Sequence, residues 1–145
     1  GSIDISVKNK FNDDELNMTV TGHINHDEVY NYIDVMDIAV MPDICSYASP
    51  MKVIEYMALS KPVIGANVPG TAELISKETG ILITPNSSEE LKDALKILIN
   101  NSELRMSLGN NAKKFILDGK YTWKNNAKRV IEIYEELKSK NNSNK

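Results

Sequence analysis

The chain has 145 residues, 41% of them hydrophobic and 26% charged, a length that supports one compact domain and is short for two of ordinary size. A formal net charge of -3 supplies no basic face for nucleic acid, which leaves small phosphate ligands as the anions within reach. The single cysteine, Cys45, excludes an internal disulfide, and the absence of zinc-type Cys and His spacings argues against a metal site and fits a reducing, cytoplasmic setting; no run approaches the roughly 18 apolar residues of a membrane span, and the start lacks the apolar core of a signal peptide.

Gly1 and Ser2 read as a remnant of cloning and are set aside. The segment "IDISVKNKFNDDELN" before Met18 offers one short strand at "DISV", without a glycine turn or a full helix. From Met18 the chain alternates. "MTVTG", Met18 to Gly22, is β-branched and ends in glycine, and "HDEVYNYIDVM" places Val29, Tyr32, Ile33 and Met36 at helical spacing. "DIAVMP", Asp37 to Pro42, is an apolar strand stopped by proline, and Pro50 to Leu59 is helical with Met51, Ile54, Glu55 and Ala58 on one side. The strand "KPVIGA", Lys61 to Ala66, leads through a loop with Pro69 and Gly70 into the short helix "TAELIS" and the strand "GILITP", Gly80 to Pro85.

Strands that are apolar throughout and alternate with helices predict an α/β, Rossmann-like fold: a mostly parallel sheet covered by helices on both faces. Three helices then close the chain. The first has Ser88 as its cap and Leu91, Leu95, Leu98 and Ile99 as its stripe; the second has Leu104, Leu108, Ala112, Phe115 and Ile116; the third has Ala127, Val130, Ile131 and Tyr134. Residues 3–137 read as a single, partial domain, the later part of a larger sheet domain, and the polar residues 138–145 as a disordered tail.

The stretch "SYASPMKVIEYMALSKPVIG", Ser46 to Gly65, carries the chemistry. Ser49 is a favoured helix cap, and Pro50 suits the first helical position, where its missing N–H has no partner to lose. The amides of Met51 and Lys52 then face the carboxyl edge of the sheet, where the helix dipole and the Lys52 ammonium favour an anion such as phosphate. Glu55, one turn in, accepts hydrogen bonds from a vicinal diol such as ribose. Phosphate and ribose together describe a nucleotide; the competing reading is a solvated helix face.

In these residues the chain resembles the carboxyl-terminal domain of the retaining, two-domain glycosyltransferases of the large family four, of the GT-B type. The blocks "VTGHINHDEVYNYIDVMDIAVMP", "SPMKVIEYMALSKPVIG", "VPGTAELI", "GILITP" and "YTWKNNAKRVIEIYEEL" stand in that family's order and spacing, from Met18 to Leu137. The resemblance implies a domain that binds a nucleotide diphosphate sugar as donor, a separate amino-terminal domain for the acceptor, and transfer without a required metal or other cofactor. It also implies a cytoplasmic location, with peripheral association of the parent protein at the inner face of the cell membrane. Of the family's two glutamates separated by seven residues, Glu55 matches the second, which holds the ribose hydroxyls; Tyr47 stands at the first. The Ser-Pro-x-Lys variant of the motif is matched by Ser49, Pro50, Met51 and Lys52, and the loop beside the donor by Gly70, Thr71 and Glu73.

His23 and Asp43 read as loop and turn residues, Trp123 as a packing residue in preference to a sugar platform, and Cys45 as without a catalytic role. Three functions compete: the donor-binding half of a sugar transferase, inactive without its acceptor domain; a non-catalytic binding or assembly module in which Tyr47 marks lost chemistry; and a nucleotide-sugar epimerase, for which only His23 and His26 are available as histidines.

Overall fold

A computed structural model describes residues 19–45, 49–119 and 121–143. The residues read from the sequence as one domain divide into two compact units between Val35 and Met36.

In the first unit, helix α1 spans His26–Asp34, with Asp27 and Glu28 in its first turn complementing the helix dipole and Ile33 as its buried residue. The strand expected at "MTVTG" does not form over Thr19–Gly22, since a β-branched run keeps strand geometry by pairing and no described strand pairs with it. Met18 and the strand expected at "DISV" lie outside the described residues.

The second unit is built on a three-stranded parallel sheet in the order β1 (Ala39–Met41), β2 (Val63–Ala66), β3 (Gly80–Ile83). Ala39 pairs with Val63, and Val63 with Gly80. Parallel neighbours require crossovers, and these are supplied by α2 (Met51–Ala58) and by α3 (Pro69–Ala72) with its following turns. Central β2 is buried at all four residues, and its alternating side chains separate two cores. Val63 packs with Ala39, Val53, Met57, Ala112 and Ile116; Ile64 packs with Ile83, Ala94, Leu98 and Leu108. The predicted α/β class with helices on both faces is therefore present. Each fully buried aliphatic side chain contributes on the order of 2 kcal/mol.

Helices α4 (Ser88–Ile99) and α5 (Ser102–Asp118) begin at side-chain caps. Ser87 Oγ accepts from the Glu90 amide at 3.3 Å, and Asn101 Oδ1 from the Leu104 amide at 2.9 Å. The cap of α4 is thus Ser87 in place of the expected Ser88: the cap residue keeps extended backbone, whereas Ser88 is already helical. Arg105 donates to the carbonyls of Leu98 (2.6 Å) and Ile99 (3.0 Å), satisfying the open end of α4. Ile99 and Phe115, expected in the stripes, are 62% and 38% exposed, because Ala94 and Leu98 on α4 and Leu108, Ala112 and Ile116 on α5 occupy the core-facing positions.

Two helix starts also differ from the expectation. Pro50, not Ser49, occupies the cap position of α2, and no side chain caps it: the Pro50 carbonyl accepts from Val53 and Ile54, and the first helical residue is Met51. Helix α3 begins at Pro69 and ends at Ala72, so Gly70 is helical, and the segment after Ala72 is held as turns by bonds from Leu74 and Ile75 to the Thr71 carbonyl.

The last helix, α6 (Trp123–Ser143), extends into the polar tail that was expected to be disordered from residue 138. Arg129 pairs with Glu132 and Glu136, and Ser139 Oγ donates to the Glu136 carbonyl, which carry the helical register onward. Its expected apolar stripe is exposed: Val130 by 61%, Ile131 by 58% and Tyr134 by 64%. Helical periodicity identifies an apolar side but not what covers it, and no described element packs along this one.

Candidate functional site

In a parallel sheet the connections that follow the strands all emerge at one edge. Here those are residues 42–45 and 49–50 after β1, Asn67 and Val68 after β2, and residues 84–87 after β3. They are tied together by hydrogen bonds from Asn67 N to Ile83 O at 2.7 Å and from Asn86 N to Pro42 O at 3.4 Å. Since α2 returns from this edge toward the start of β2, its N-terminus opens here, with its positive dipole end facing outward.

Met51 and Lys52 are exposed at that opening, and Glu55 is half-buried one turn inside. Among the described residues the Glu55 carboxylate forms no hydrogen bond or ion pair. Its resolved electrostatic neighbour is Tyr56, whose phenol is pushed above its ordinary range by burial first and by the Glu55 charge second. The Met51 amide, expected to be free for an anion, donates to the Ser49 carbonyl at 2.9 Å, so the exposed Lys52 ammonium is the full positive charge at this opening. Ser49 is exposed beside it. Tyr47 lies outside the described residues.

The loop after β2 is organised by Thr71. Its side chain is fully buried, its hydroxyl bonds the carbonyls of Ala66 and Val68, and its oxygen accepts from the Val68 amide at 3.4 Å. Thr71, expected to touch a donor, is fully buried here and its hydrogen bonds brace the loop. Gly70 stands half-buried next to it, and Glu73 closes α3 with its side chain exposed. Asp43 and Cys45 are exposed after β1. His23 and His26 belong to the first unit, where the His26 ring tilts against Tyr30 at 5.9 Å.

A cleft of about 290 Å³ adjoins the α2 opening, lined by Met51, Ile54, Tyr121, Thr122, Trp123 and Asn126. Trp123, read from the sequence as packing, is 81% exposed at its rim. Periodicity could not show this: "YTW" opens a helix whose apolar side has no described cover. Among the described residues no group of His, Cys, Asp and Glu is arranged to hold a metal ion, and no helix is long and apolar enough to cross a membrane.

Comparison with known proteins places this architecture. An uncharacterised glycosyltransferase of Methanocaldococcus jannaschii, MJ1178, is 37% identical over 132 residues, covering 90% of this chain and 36% of that protein. Sucrose-phosphate synthase from Thermosynechococcus elongatus superposes with a TM-score of 0.77 at 25% identity, over 93% of this chain and 33% of its own. Anabaena HepE, determined in complex with UDP, shares the fold with a TM-score of 0.64 at 23% identity, over 74% of this chain and 29% of its own. The chain thus spans about a third of the length of the relatives it matches. Residues 7–115 match the family described as Glycosyl transferases group 1, and the parallel sheet with its closing helices is the fold of these relatives. The chain belongs to the group 1 glycosyl transferases.

Proposed function

We propose that this chain is the donor-binding domain of a retaining glycosyltransferase, which takes a sugar from a nucleotide diphosphate sugar and delivers it to an acceptor held by a domain outside this chain. The observation that carries the reading is Glu55, a half-buried carboxylate one turn inside the helix that opens at the carboxyl edge of the sheet. Among the described residues no protein donor occupies this carboxylate, which leaves its oxygens able to accept from the hydroxyls of a ligand. On this reading Lys52 and the dipole of α2 face the diphosphate and offset the charge that develops on it as the bond from the sugar carbon to the phosphate oxygen breaks. The acceptor oxygen forms the new bond to that carbon with the anomeric configuration kept. Ser49, Pro50, Met51 and Gly70 complete the proposed donor surface, Thr71 supports it from beneath, and no cofactor enters the reading.

Calorimetric titration of the chain with UDP, GDP and ADP tests the proposal, UDP being tried first because a protein of the same fold was determined with it. One of the three should bind, and Glu55→Gln should weaken that binding by about tenfold or more, the effect of losing hydrogen bonds to a charged acceptor. Absence of binding by all three, or an unchanged affinity in the variant, sinks it. On the same reading the isolated chain binds donor but transfers nothing. The exposed side of α6 favours a second reading, a non-catalytic binding or assembly module, which gains if the folded chain ignores every nucleotide.

A further inference from the structure

The cleft between α2 and the start of α6 shares Met51 with the proposed donor surface and has a chemistry of its own. Three features define it. Its rim is an indole that is 81% exposed, although burial of a tryptophan is the ordinary outcome of folding. Its wall is apolar, from Met51 and Ile54, with the side-chain amide of Asn126 alongside. Its frame is fixed: Thr122 Oγ1 accepts from the Asn125 amide at 3.2 Å, the Asn126 amide donates to the Thr122 carbonyl at 2.9 Å, Asn125 Nδ2 donates to the Gly119 carbonyl at 2.5 Å, and Tyr121 donates to the Glu73 carbonyl at 3.5 Å while its ring lies 5.4 Å from Phe115. An aromatic plane on a capped helix start loses little freedom when a ligand settles on it.

We propose that this cleft is a pyranose subsite, with Trp123 as the stacking platform and Asn126 as the polar contact. A hexose ring presents one face of C–H bonds, which suits the electron-rich indole face, and a rim of hydroxyls, which suits a side-chain amide able to donate and accept. At about 290 Å³ the cleft is at the small end of ligand pockets, which begin near roughly 300 Å³, so it takes one ring and not a whole nucleotide sugar. Met51 is shared between the cleft and the α2 opening, which puts the ring beside the nucleotide site. The choice of a sugar as occupant rests on the transferase reading.

Trp123 is the single tryptophan of the chain, so its emission and its indole Nε1–H resonance report on this site alone. The full chain is titrated with the methyl glycosides of glucose, galactose and mannose, with UDP, and with UDP-glucose, using sorbitol as a polyol of similar hydroxyl content. At least one glycoside or UDP-glucose should move the indole signal saturably, and sorbitol should not. A response to UDP-glucose but not to glycosides in the presence of UDP assigns the ring to the donor; the reverse assigns it to the acceptor. Asn126→Ala should weaken the sugar response about fivefold and leave UDP affinity unchanged. An indole that ignores every sugar, or answers sorbitol equally, overturns the proposal. Calorimetry with UDP on the same sample keeps the two readings separable: loss of nucleotide binding with a retained sugar response defeats the donor reading and not this one.

Discussion

Gly109 of α5 lies directly against the main-chain carbonyl of Ser60, the residue that turns the chain away from α2. Ser60 adopts a φ of 60°, and the turn is held by Ser60 N to Met57 O and Lys61 N to Tyr56 O, each at 3.0 Å, the pattern by which a left-handed residue closes a helix. The missing side chain at Gly109 lets α5 approach the end of α2, and Met57 and Ala112 meet in the same core.

Gly109→Ala therefore carries two effects of opposite sign. In an open helix the change would gain up to about 1 kcal/mol from propensity. Here the new methyl meets backbone, which cannot rotate away, and overpacking of this kind costs about 1–3 kcal/mol. The melting temperature should fall by several degrees; a rise would show that α5 does not lie so close to Ser60.

Much of this fold can be read from local pattern. The strands at Ala39–Met41, Val63–Ala66 and Gly80–Ile83 were visible as short apolar runs between helical segments, because a parallel strand buried on two faces cannot alternate. Boundaries were less legible where neighbouring residues share a chemistry: Ser87 and Ser88 are both able caps, and only the backbone at Ser87 decides between them. The close approach at Gly109 and the burial of the Thr71 hydroxyl are contacts between distant segments, and no window of sequence contains them. In the candidate site, Lys52 and Glu55 were placed by their spacing on one helix, whereas Trp123 joins Met51 in a cleft only because the chain folds back across more than sixty intervening residues.

The turn between β3 and α4 should make stability depend on acid. Glu90 accepts from the amide of Thr84 at 2.6 Å and from its hydroxyl at 2.8 Å, and these bonds, the backbone one first, hold its carboxyl below the ordinary range. With the folded-state value lowered, the unfolded chain binds the proton more readily. The contribution is therefore complete above the unfolded-state value and fades as pH falls through the folded one. Glu90→Gln should lower the urea midpoint at neutral pH, and the gap from the parent chain should close as pH drops below the carboxylate range. A gap that persists in acid would mean that Glu90 acts through packing or helix propensity instead.

Thr71 separates bracing from binding. Thr71→Val keeps the shape and burial of the side chain but removes the hydroxyl that joins Ala66, Val68 and the first turn of α3, leaving buried backbone groups short of a partner at a cost of about 1–3 kcal/mol. Thr71→Ser keeps the hydroxyl and loses one methyl, about 1 kcal/mol. A bracing role requires the valine variant to melt clearly below the serine variant, with the serine variant keeping the parent's nucleotide affinity. Direct contact of the hydroxyl with a ligand would instead lower the nucleotide affinity of the valine variant, which lacks the hydroxyl, without placing its melting temperature below that of the serine variant. Thermal melts paired with calorimetric titration of the two proteins decide between these outcomes, and full burial of the side chain predicts the first.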